Sequence, residues 1–171
     1  MSDIKAAGAA IENIDVPQVN DAMALAGILF TAEAYGTWKD VIEANPEKMF
    51  VGVLERFRGG QNALATDYIT GWQTLEKLRK VYLTATAGYD GILLPTSPIM
   101  PPNLEKLATD HDYFAGRNLL ALRNTRIGNL MGLSALTLPT SVPSAGIMIM
   151  TPAMDEDRLL RIGAAIEAVL A

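Results

Sequence analysis

The chain has 171 residues, half of them hydrophobic and 19% charged, which gives enough apolar material for a single domain with a substantial core and argues against a disordered chain. A formal net charge of −5 with no cluster of Lys or Arg argues against a nucleic-acid surface, and the lack of cysteine removes disulfides and thiol chemistry. The start, MSDIKAAG, has no basic stretch leading into an apolar core, and the most apolar helical stretch, around Ala22 to Tyr35, is short and interrupted by Asp21 and Glu33, so no membrane span and a cytoplasmic location are expected.

Asp3 to Gly8 reads as the tail of a helix stopped by Gly8, and a helix so close to residue 1 suggests a chain continuous with something longer. Ala10 to Val16 alternates apolar and polar residues and predicts a half-exposed strand. After Pro17, Gln18 to Ala44 reads as a long helix with apolar residues around much of its first half, as in a helix buried between neighbours. Pro46 starts a further helical piece that carries Met49, Val53 and Phe57 and ends at Gly59-Gly60.

Thr66 is a suitable N-cap for a helix whose stripe is Tyr68, Trp72, Leu75, Leu78, Tyr82 and Ala85, with Glu76, Lys77, Arg79 and Lys80 for a wet face and Gly88 as its end. Gly91 to Leu94 predicts a buried strand stopped by Pro95. Thr96 to Asp110, with Pro98, Pro101 and Pro102, reads as a surface loop, and Asp112 as the cap of one helix from Tyr113 to Leu130. Gly132 then stops that helix, and two apolar strands follow, Ser134 to Leu138 and Gly146 to Met150. Their lack of alternation predicts central strands covered on both faces, with Pro139 and Pro143 bounding the connection. Asp155 or its neighbour begins the last helix, where Asp155, Glu156 and Asp157 suit the positive end of the dipole and Leu159, Ile162, Ile166 and Val169 form the buried face. Helix, short turn and apolar strand in succession define an α/β class: a mixed sheet of a few strands with helices on both faces, in one domain over residues 1–171.

The residues Asn129, Gly132, Leu133, Ala135, Pro139 and Gly146 resemble a closing motif of the amidase signature family, with Ser134 where that family usually has proline and Met148 where it has glutamine. AAGAAIENIDVP, TAEAY, TDYITGW, YDGILLPTSP and DEDRLLRIGAAIE are similar, in register, to further blocks of the C-terminal part of that family. The resemblance implies part of the amidase signature fold and a C–N hydrolase that cleaves a small amide, or a tRNA-dependent amidotransferase that releases ammonia from glutamine. It implies a nucleophilic serine, a second serine and a lysine, with backbone donors for the oxyanion.

None of those catalytic residues has a match here. The serines are Ser2, Ser97, Ser134, Ser141 and Ser144, none in a glycine–serine loop, and none of Lys5, Lys39, Lys48, Lys77, Lys80 or Lys106 matches the catalytic lysine. The chain alone is therefore expected to be inactive, as the closing segment of an amidase-like enzyme completed by an N-terminal part. The alternative is a non-catalytic binding or scaffold protein that keeps this portion of the fold. A bared sheet edge would also favour a homo-oligomer, with a symmetric dimer the simplest form.

The candidate substrate-binding residues are Arg56, Thr125 and Asn129. Arg56, four residues before Gly60, matches an arginine that holds a substrate carboxylate in the amidotransferase branch; the alternative is a helix-end arginine favourable to the dipole. Leu122 stands where that branch has the aspartate that reads the substrate ammonium, which argues against glutamine. Thr125 and Asn129 lie one turn apart, either on a pocket rim or satisfying the helix end. No cofactor or metal is expected: His111, the sole histidine, lies in Asp110-His111-Asp112 and reads as a solvated turn, and Asp90 reads as a turn residue.

Overall fold

A computed structural model describes residues 2–170. The short helix α1 (Ser2–Ala6) buries Ile4 and ends at Gly8, whose φ of 99° needs a residue without Cβ. The next segment, through Val16, has no regular secondary structure and joins no ladder, so the strand predicted over Ala10–Val16 does not form. Alternation gives an extended backbone, and a strand also needs a neighbour to pair with.

Helix α2 (Gln18–Ala44) buries Ala22, Ala26, Leu29 and Ile42. After it, the predicted single helical piece divides into a 3₁₀ turn (Pro46–Lys48) and α3 (Val51–Arg58). The following Gly60 sits hard against α2: a Cβ there would lie 2.0 Å from the Thr31 carbonyl oxygen, so only glycine fits. Arg58 adds a forked pair to Glu43, with Nε and Nη2 donating to the two carboxylate oxygens at 2.9 and 2.6 Å.

Helix α4 (Ala65–Thr86) begins after Leu64 rather than at a Thr66 cap, because Thr66 is already inside the first turn and no side chain caps it. Gly71 meets Leu29 of α2, and Leu75 and Tyr82 are buried beside it. Arg79 departs from the predicted wet face. Its guanidinium lies over Trp72 and its Nε donates to the Leu130 carbonyl at 2.7 Å, where a cation suits a helix C-terminus.

Strand β1 (Ile92–Pro95) follows. The predicted loop from Thr96 contains helix α5 (Leu104–Thr109), capped by Asn103, whose side chain accepts from the Lys106 N–H. Asp110, rather than Asp112, caps the next helix by accepting from the Tyr113 N–H at 2.9 Å. The single helix predicted to Leu130 is broken at Leu122 into α6 (His111–Ala121) and α7 (Arg123–Met131). Arg126 spans the break, its Nη2 donating to the Leu119 carbonyl at 2.6 Å. Gly132, at φ 67°, ends α7 in the left-handed conformation as the sequence implied.

Strands β2 (Ser134–Pro139) and β3 (Gly146–Thr151) complete a three-stranded sheet in the order β1-β3-β2, before helix α8 (Glu156–Leu170). Both pairings are antiparallel, where a mixed sheet was expected. Central β3 is buried from Ile147 to Thr151, but β2 is an edge strand: Leu138 is buried while Ala135, Thr137 and Pro139 are exposed. The α/β class with helices on both faces stands. Ile147 and Ile149 pack with Leu138, Ile4 and the α8 residues Leu159 and Ile166, and Met150 faces α7 at Gly128. Gly163 lets α8 approach Leu136 closely. A second core joins α2, α4 and α7 through Ala22, Ala26, Leu29, Leu75 and Leu130.

Candidate functional site

The connection after β1 and the ends of β2 and β3 enclose a recess of about 610 Å³ rimmed by the hydroxyls of Thr96, Ser97, Thr137 and Ser144. Thr96 donates to Thr137 across it at 3.3 Å. No lysine, histidine or carboxylate lines the recess, so its serine and threonine hydroxyls have no base to activate them. They can donate to or accept from a polar group.

Arg56 lies half-buried in the last turn of α3 and, among the described residues, has no carboxylate partner. Its charge reaches Arg126 on α7: burial, and secondarily the Arg56 guanidinium, hold Arg126 below the usual arginine range. The fold therefore brings the first candidate, Arg56, toward α7, the helix that carries the other two. Thr125 engages its own helix, its hydroxyl donating to the Leu122 carbonyl at 3.1 Å, and Asn129 is exposed. His111 pairs with Glu55 across α3 and α6 at 3.1 Å, and among the described residues no group of three or more His, Asp or Glu side chains is placed to hold a metal ion. Asp90 is exposed. Ser134, at the position of the unusual departure from proline, donates to Glu156 at 2.7 Å, and that bond holds the Glu156 carboxyl below its ordinary range.

A second concavity, of about 450 Å³, lies between the segment before α2 and the free edge of β1. Tyr89 at one wall donates to Glu12 at the other, and Val19, Tyr82, Ile127 and Met150 also line it. The Tyr82 hydroxyl is buried and has no hydrogen-bond partner. By spacing alone the residue is one more member of an apolar stripe. Its phenol, the one polar tip in that buried row, is the signal that sets it apart. Sequence reasoning also misses Asn124. It is buried at the start of α7, and its amide donates to the Pro95 carbonyl at 2.7 Å, a long-range contact that no local pattern announces.

A small antiparallel sheet between one helix and a helical core, with a few hydroxyls set among proline and aliphatic side chains at the strand ends, defines an α/β protein with a mostly apolar recess there. The amidase family model matches residues 1–160, and the chain belongs to that family. A 2-amino-5-chloromuconic acid deaminase of Comamonas testosteroni is 31% identical over 128 residues, which are 72% of this chain and 28% of that protein. A solved amidase superposes with a TM-score of 0.80 at 22% identity, covering 99% of this chain and 40% of its own. A 6-aminohexanoate cyclic dimer hydrolase, solved with its substrate, gives 0.78 at 19%, covering 99% and 39%. The chain thus spans well under half the length of these proteins. No helix among the described residues is long and apolar enough to cross a membrane.

Proposed function

We propose that this chain supplies the sheet, helical core and one pocket wall of an amidase-type C–N hydrolase whose serine, second serine and lysine come from further polypeptide. The observation that carries the reading is the family match over residues 1–160 in a chain whose clustered hydroxyls have no base. The preferred substrate is small and bears a carboxylate. Arg56 is a half-buried guanidinium without an acid of its own, suited to a planar anion, and the deaminase relative is named for acting on a muconic acid. Leu122 in place of an aspartate disfavours glutamine.

The test is to assay the chain alone and mixed with the serine- and lysine-bearing part of an amidase, on simple aryl amides and on carboxylate-bearing amides. The chain alone is expected to be inactive and the mixture active. In the mixture Arg56→Ala should raise KM for the carboxylate-bearing amide by about tenfold, the scale of one hydrogen bond to a charged group, with little change in kcat. Hydrolysis by the chain alone, lost on mutating Ser97 or Ser141, would overturn the reading. A mixture that stays inactive while the chain binds carboxylates would favour the non-catalytic binding protein.

A further inference from the structure

The two edges of the sheet differ in how much backbone they leave open. Thr96 donates its N–H to the Gly146 carbonyl at 2.9 Å and Thr140 donates to the Ala145 carbonyl at 3.3 Å, which fixes the parity of both pairings. Antiparallel pairs alternate between bonded and non-bonded. Ile92 and Leu94 therefore turn their peptide groups toward β3, and Leu93 and Pro95 turn theirs away. Pro95 has no N–H, its carbonyl accepts from Asn124, and the segment Ala10–Val16 stands in front, so Leu93 is the one open rung of β1. On β2, Ser134, Leu136 and Leu138 face β3, while Ala135, Thr137 and Pro139 face outward. Among the described residues, no hydrogen bond reaches the peptide groups of Ala135 or Thr137. Nothing guards this edge: no charged residue lies between Gly132 and Met154, and proline stands only at its end, at Pro139.

We propose that the outer edge of β2 pairs with the same edge of a second copy of this chain, antiparallel and about a two-fold axis at Leu136. Ala135 and Thr137 stand symmetrically about Leu136, so the axis sets Ala135 of each copy opposite Thr137 of the other and closes four N–H···O bonds. Other strands fit such an edge, but a second copy also fits its surroundings. Helix α8 packs across β2 and β3 together, against Leu136, Leu138, Ile147 and Ile149. With strands about 4.8 Å apart, the two copies of α8 then lie about 10 Å apart, the separation of packed helices. Arg158, Ile162 and Ala165 occupy the β1 side of α8 and Gly163 rests on Leu136, which leaves Leu160 and Ala164 on the side toward the axis. Leu160 is 59% exposed, and Ala164 is small enough for a close crossing. The axis also sets the loop of Met154, 90% exposed, beside the hairpin of Val142, 53% exposed, once at each end. Three exposed apolar side chains that are scattered over one copy thus gather at one interface. Glu156 and Glu167 lie on the same flank of α8 and repel across the axis, so the pair tightens with salt. The patch is about 20 Å long, the length of six strand residues, and supports a reversible rather than an obligate dimer.

The chain has no cysteine, so one introduced thiol reports the register. Leu136 meets its own copy across the axis in a non-bonded pair with Cα atoms about 4.5 Å apart, within disulfide range. Leu136→Cys is expected to cross-link to a dimer on mild oxidation, and Ser141→Cys, beyond the strand, is not. Sedimentation of the unmodified chain from micromolar to near-millimolar concentration should show a monomer–dimer equilibrium, with exchange at the Ala135 and Thr137 amides slowing as concentration rises. Thr137→Pro removes a donor that faces away from β3 and spares the ladder within each copy. It should weaken the dimer about tenfold or more, as should Leu160→Lys on the helix flank. If Thr137→Pro fails to fold, Leu160→Lys and the cross-link decide. A chain that stays monomeric throughout would overturn the proposal, as would a dimer that survives both substitutions or a Ser141→Cys chain that cross-links as readily. Protection of Ala135 and Thr137 that ignores concentration, or that persists when the serine- and lysine-bearing part of an amidase dissolves the dimer, would assign the edge to other polypeptide and also overturn it.

Discussion

In the cluster of α2, α4 and α7, Ala22, Ala26 and Gly71 bring the helices together around Leu29 and Leu75, and Arg79 meets a carbonyl of the last turn of α7. In the sheet layer Ile149 and Met150 are as deeply buried, yet the β1 edge keeps the Leu93 peptide groups unanswered and Tyr82 borders it with an orphan hydroxyl. The difference follows from how each element satisfies its backbone. A helix closes its own hydrogen bonds and asks its neighbours only for shape. A strand closes half of its bonds on each side, so a free edge leaves peptide groups for water, side chains or another strand to answer.

The largest effect that sharpens this contrast is expected inside the helical cluster. Leu75→Ala, at a site almost fully buried, should cost about 2–5 kcal/mol in urea unfolding, because three helices held by ridges cannot collapse onto the cavity. Gly60→Ala should cost about 3 kcal/mol, since its Cβ would strike backbone of α2 rather than a movable side chain. A neutral result at Gly60 would mean that the turn after α3 is looser than the contact implies.

At the boundary of the two regions the sign should reverse. Tyr82→Phe removes a buried hydroxyl that bonds to nothing and should stabilise the chain by about 1 kcal/mol. Burial pushes the phenol up to about 12 from 10.0. The unfolded chain therefore loses this proton first, so the wild-type chain should lose stability as pH rises from about 10 toward 12, and the phenylalanine variant should lack that component. A destabilised Tyr82→Phe chain would show that the hydroxyl already has a partner in solution.

The smallest effect belongs to the surface pair of Glu43 and Arg58. The Arg58 hydrogen bond holds the Glu43 carboxyl below its ordinary range, so the pair's contribution is present above the unfolded carboxyl's pKa and disappears as pH falls through the lower folded value. Both groups are exposed, and the loss should be slight and vanish in high salt. Glu43→Gln, followed by acid unfolding at low and high salt, measures it.

The elements that sequence revealed best are those fixed by local chemistry: the Gly132 stop, the buried β3 and the acidic start of α8. Sequence failed where a distant group decides. Ala10–Val16 alternates as a strand should, but whether it ladders depends on what lies beside it. Ser134 to Leu138 looks central by composition and is an edge because no strand among the described residues pairs beyond it. The break at Leu122 has no proline or glycine to announce it, and Arg126 bridges it from the following turn. Among the candidate residues, Arg56 and its approach to α7 were half legible, since the residue type was visible and its neighbour Arg126 was not.

The join between Pro95 and Asn124 has a colloidal consequence. Fibrils grow when a stretch of about six residues offers every peptide group to the next chain. Here the edge presents a single unanswered rung at Leu93: Pro95 lacks a donor, the Asn124 amide occupies its acceptor, and Ala10–Val16 stands in front. Such a template is too short to recruit copies end on end through β1. Concentrated material should instead associate through the six-residue outer edge of β2 and through exposed side chains such as Trp38 and Leu64, and Thr137→Pro on β2 should reduce any cross-β order in the precipitate.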